Sequence, residues 1–127
     1  MAIVVGYVDT PEGEAALTVA ANHARERGTR LVVILSDKRA EDADPSRDAA
    51  VERLSAELTT SGLDVEVRHL ARGKDAAEDI VGTAEEIGAA LIVIGLRRRS
   101  PVGKLLLGSN AQRILLDASC PVLAVKA

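Results

Sequence analysis

Leu91-Ile92-Val93-Ile94 is apolar at every position and β-branched at three of its four, and Gly95 follows it directly. A strand with one wet face alternates apolar and polar residues; an unbroken apolar run of this length fits a strand covered on both faces by helices in a parallel sheet. Ile3-Val4-Val5 repeats the pattern near the N-terminus. Runs rich in Val, Ile and Leu at 2–8, 31–35, 65–70, 91–94 and 122–125 make five strands. Only 65–70 alternates, as expected of an edge or half-covered strand.

The segments between the strands carry helix signals. Thr10-Pro11 supplies an N-cap and a first-turn proline, Ala16, Leu17, Ala20 and Ala24 form an apolar stripe, and Gly28 ends the helix. A second helix is expected over about 46–61, with Val51, Leu54 and Leu58 on one face and Gly62 as its stop. A third, about 75–88, places Ala77, Ile80, Val81, Ala84 and Ile87 at three- and four-residue spacing. The fourth begins at Ser109, where Ser109-Asn110-Ala111-Gln112 reads as a capping box, and Ile114, Leu115 and Ala118 form its apolar side before Pro121. Alternating strands and helices predict a three-layer open α/β sheet with right-handed crossovers, one domain over 1–127.

Composition sets the material of the core. Of 127 residues 47% are hydrophobic, yet the aromatic inventory is Tyr7 alone, so the core is aliphatic. One cysteine, Cys120, closes no bridge within the chain, which excludes a disulfide-stapled scaffold and a multi-cysteine zinc module and favours a reducing cytoplasm. Residues 1–9 lack the basic flank and length of a signal peptide, and no apolar run approaches the ~18 residues of a membrane span. The expectation is a cytoplasmic protein without a membrane partner. A net charge of −3 and the missing aromatics argue against nucleic acid as a partner. His23 and His69 have no second ligand at metal spacing, so no metal site is expected.

Ligands of open α/β sheets bind beyond the carboxyl ends of the strands, where the strand order reverses. That points to Val8-Asp9-Thr10, to Ser36 and to the stretch after Gly95. Gly95 to Ser109 leaves a buried strand and opens a helix, carrying Arg97, Arg98, Arg99 and Lys104 on the way. A helix N-terminus with free N–H groups, approached by glycine backbone and local positive charge, suits a phosphate. It is not a Walker A loop, because Leu105 follows Gly103-Lys104 where Ser or Thr should hold magnesium; no GxGxxG follows the first strand either.

At these residues the chain resembles the universal stress protein family, over its whole length from Val4 to the closing Cys120-Pro121-Val122-Leu123-Ala124-Val125-Lys126. The resemblance implies a Rossmann-like sheet of order 3-2-1-4-5, of the adenine nucleotide alpha-hydrolase-like type. The family's ATP-binding branch carries glycine, two residues, glycine, nine residues, glycine, then Ser or Thr. Here Gly95, Leu96-Arg97, Arg98, the nine residues 99–107, Gly108 and Ser109 keep the spacing, with Arg98 in place of the second glycine. An arginine there either crowds the phosphates or forks onto them with its guanidinium. By the same resemblance Asp9 and Ser36 meet the adenine base; the phosphates (of ATP, ADP or AMP, with or without Mg2+) would lie on the Gly108-Ser109-Asn110 amides, helped by Arg97 or Arg98. Asp9 equally suits the start of a turn, and Ser109 a simple helix cap.

The order 3-2-1-4-5 makes Val122, Leu123, Ala124 and Val125 an uncharged edge, and pairing with a twin across a two-fold axis is the expected remedy, as in the family. No catalytic constellation is legible, so hydrolysis of ATP is expected to be slow or absent. The expected function is a homodimeric adenine-nucleotide sensor in stress response, its downstream partner unidentified. The alternative is a nucleotide-free interaction protein of the same fold, its motif impaired by Arg98. With no aromatic face to stack on, a bound base would rest between aliphatic side chains.

Overall fold

In the computed structural model the strand β1 (Ala2–Tyr7) lies at the centre of a five-stranded parallel sheet, between β2 (Arg30–Leu35) and β4 (Leu91–Leu96). The edges are β3 (Val65–His69), paired to β2, and β5 (Val122–Lys126), paired to β4, so the order is β3-β2-β1-β4-β5. The structure describes residues 1–8, 10–35, 45–69, 76–96 and 108–126, and of residues 45–51, 54 and 69 the backbone alone.

Burial follows the apolar runs. The largest fully buried side chains are Ile3, Val4 and Val5 of β1, Leu31, Val32 and Ile34 of β2, and Ile92 and Val93 of β4. Each stabilises the fold by about 1.5–3 kcal/mol relative to exposure. Alternate residues feed two cores: Ile3, Val5, Leu31, Val33 and Val93 on one face, Ala2, Val4, Val32, Ile34, Ile92 and Ile94 on the other. Edge strand β3 turns Val65 and Val67 toward the first core, while Glu66 pairs with Arg30 and Arg68, and Arg68 reaches Glu86 of the third helix. This is the alternation read in 65–70. The pairs are partly exposed to solvent and contribute at most about 1 kcal/mol each.

Helix α1 (Pro11–Arg27) begins and ends where its caps require. Thr10 is extended at φ −143°, its Oγ1 accepts from the Gly13 N–H at 3.1 Å, and Gly28 closes the helix in the left-handed region at φ 60°. Ala16, Leu17, Ala20 and Ala24 are buried, as their spacing predicts, and the small side chains bring α1 close over the sheet. On the same face, Leu58 of α2 (Pro45–Thr60) packs against the core; the side chains of Val51 and Leu54 lie outside the described residues. The other face carries α3 (Ala76–Ile87), which buries Ala77, Ile80 and Ala84, and α4 (Ser109–Asp117).

Two expectations for α4 are corrected. The capping box is absent: Gly108 is the N-cap, with no side-chain cap, and the Gln112 N–H donates to the Gly108 carbonyl rather than to Ser109. Ser109 is already the first helical residue, so its hydroxyl is one position too far along to cap. Its apolar side is also narrower than expected. Ile114 is buried and Ala118 half-buried, but Leu115 is 43% exposed and its neighbour Leu116 83%. Leu115 directly follows the buried Ile114, and a helix turns about 100° per residue, which carries it off the sheet-facing side.

Candidate functional site

Strand order reverses at β1, whose chain continues into α1 on one face while α3 and α4 cover the other. Two glycines thin the sheet there. A Cβ on Gly6 would lie 2.6 Å from Cδ1 of Ile80, so α3 closes directly onto β1. A Cβ on Gly95 would lie 2.5 Å from the Glu12 carbonyl oxygen, so the first turn of α1 closes onto the end of β4. Gly13 is tighter still, its hypothetical Cβ 1.8 Å from the carbonyl oxygen of Val8.

Between these contacts a cleft opens at the carboxyl ends of the strands, enclosing about 130 Å³. Gly6, Tyr7 and Val8 of the first strand and its exit, Ile34 of β2, and Ile94 and Gly95 of β4 make its floor. Thr10, Glu12 and Gly13 wall it from α1, Ala76 and Ile80 from α3, and Asn110, Ala111 and Ile114 from α4. Isoleucines and glycines give it an apolar base; the α4 wall is the start of a helix, whose first-turn N–H groups have no intrahelical partner.

The cleft joins several residues named from sequence. Val8, Thr10, Gly95 and Asn110 line it, with Val8 half exposed at 50% and its carbonyl accepting from the Thr10 N–H at 2.8 Å. Gly108 and Ser109 stand at the start of α4 beside Asn110, Ser109 exposed. Asp9, Ser36, Arg97 and Arg98 lie outside the described residues. Tyr7, the single aromatic residue, borders the cleft while packing against the α1-side core.

Among the cleft residues not named as such from sequence are Gly6, Glu12, Gly13, Ile80 and Ile114. Gly6 and Gly13 carried a signal, since a glycine inside an apolar strand or the first turn of a helix marks close backbone approach. Far from the cleft, Cys120 is half-buried against the α3–α4 core, and burial pushes its thiol up from the ordinary value. A raised thiol holds less thiolate, the reactive form, at neutral pH.

The fold and cleft define a class: an open, doubly wound α/β domain with a cleft at its switch point, where ligands of such sheets bind. The chain belongs to the universal stress protein family, whose family model matches residues 1–126. It is 44% identical to a universal stress protein of Mycolicibacterium smegmatis, over 98% of this chain and 96% of that one. Among solved structures, a universal stress protein from Archaeoglobus fulgidus superposes with a TM-score of 0.81 at 37% identity, covering 99% of this chain and 98% of the other. Another from the same organism, in complex with dAMP, superposes at 0.76 with 33% identity and the same coverage. Among the described residues no helix is long and apolar enough to cross a membrane.

Proposed function

We propose that this chain is an adenine-nucleotide sensor of the stress response that binds AMP, ADP or ATP in the switch-point cleft without efficient catalysis. The observation that carries the reading is the start of α4: its N-cap is Gly108, no side chain caps it, and Asn110 and Ala111 of the same turn face the cleft. Free N–H groups and the positive end of the helix dipole suit a phosphate at that wall. The relative bound to dAMP supports the same ligand class. In this reading the base lies toward Asp9 and Ser36, at the ends of β1 and β2, and Arg97 or Arg98 adds charge to the phosphates.

The chemistry of the described walls supports binding rather than turnover. Among the described lining residues Glu12 is the only carboxylate, and none is His, Cys or Lys, so they hold no acid–base pair. We place the protein in the cytoplasm, on the strength of its lone cysteine.

The second part of the proposal is a homodimer through β5. The Ile92 N–H donates to the Pro121 carbonyl at 3.0 Å, and Ile92 stands opposite Val122. In a parallel ladder the backbone groups of alternate residues then point to β4, and those of Val122 and Ala124 point to the open edge. Antiparallel pairing with a twin would satisfy them. Native mass spectrometry of the purified protein tests both parts: the expected species is a dimer carrying adenine nucleotide. A nucleotide-free dimer would instead support an interaction protein with an impaired site, and a monomer would refute pairing through β5.

A further inference from the structure

One described residue lining the cleft carries a charge of the wrong sign for phosphate. Among its described lining residues, Glu12 is the only one bearing a carboxylate or a cationic group. It is half-buried at the second position of α1, and among the described residues no side chain pairs with it. A carboxylate accepts hydrogen bonds and offers none, so it favours a ligand presenting O–H or N–H donors and disfavours an anionic group beside it.

Position narrows the choice of donor. The Glu12 backbone abuts Gly95 of β4, on the opposite side of β1 from β2, and Asn110 and Ala111 of α4 line the same cleft. With the base toward the ends of β1 and β2 and the phosphate on the first turn of α4, the group left between them is the sugar.

Resting on the nucleotide-binding reading above, we propose that Glu12 is a specificity-determining residue that accepts hydrogen bonds from the ribose 2′- and 3′-hydroxyls. The site then selects ribonucleotides with a free diol over 2′-deoxy and 3′,5′-cyclic nucleotides. Gly95 is part of the device, because any larger residue there would push the first turn of α1 away from the sugar.

The test is a calorimetric comparison of AMP, 2′-deoxy-AMP and 3′,5′-cyclic AMP on the wild-type protein, Glu12→Ala and Glu12→Gln. A hydrogen bond to an ionised acceptor predicts that the wild type binds AMP at least about tenfold more tightly than either analogue. Glu12→Ala should bring the three within about twofold of one another, by weakening AMP and leaving 2′-deoxy-AMP unchanged. Glu12→Gln, nearly isosteric and still an acceptor, should fold normally and keep a preference of about threefold. Equal wild-type affinity for AMP and 2′-deoxy-AMP, or an equal loss for both in Glu12→Ala, would overturn the role of Glu12 while the nucleotide reading stands. Failure of all three to bind the wild type would remove both.

Discussion

Gly13 and Gly82 both sit in helices and answer to opposite rules. At Gly13 a Cβ would fall 1.8 Å from the Val8 carbonyl oxygen, with more backbone atoms behind it, and neither chain segment has a flexible end to give way. Gly13→Ala should therefore cost at least about 2 kcal/mol in urea unfolding, as overpacking does. At Gly82, in α3, a Cβ meets nothing within 4 Å. Gly82→Ala should add about 0.5–1 kcal/mol by reducing the freedom of the unfolded chain and improving helix propensity. Equal effects at the two sites would contradict the close approach that shapes the cleft. Cys120 makes a second prediction at this scale. Because burial raises its thiol, less thiolate is present at a given pH, so alkylation by iodoacetamide should be slower than for free cysteine and reach half-maximal rate at higher pH.

Among the elements, β5 is the one whose partner matters most. Leu123 packs into the α1-side core, so Leu123→Lys would damage the monomer as well as any dimer. Ala124 offers a cleaner test, since its N–H points to the open edge and proline is tolerated on edge strands. Ala124→Pro should keep the circular dichroism of the folded chain and halve the mass measured in solution; a variant that stays dimeric would exclude pairing through this strand. Elements also differ in how far the sequence disclosed them. Continuous apolar runs identified β1 and β4 because two-sided burial leaves no room for polar residues, and α1 was legible to its caps because Thr10, Pro11 and Gly28 each meet a local backbone need. Helix α4 was less legible. A capping box and a serine at the first helical position differ by one residue, and the side that α4 turns to the sheet depends on its placement against α3 and β4, which no local pattern encodes. The same limit hid Ile80 and Ile114 from the cleft, since each came from a helix whose spacing announces burial but not the far wall it faces.

For the molecule as a whole, the alternation of strands and helices was legible because apolar runs and helix signals extend over the full chain, whereas the sheet order came with the family resemblance, which the spacing from Gly95 to Ser109 helped to carry. The cleft was legible only in part: its location follows from the reversal of strand order, whereas Glu12 entered through the docking of α1 on Gly95. Function turns on that cleft taking an adenine nucleotide, phosphate on the first turn of α4. Titration calorimetry with AMP and ATP, on protein unfolded and refolded to strip any carried ligand, tests it most directly. Saturable heat with one site per chain at sub-millimolar affinity is the expected result; no heat from either nucleotide at millimolar concentration would rule nucleotide binding out.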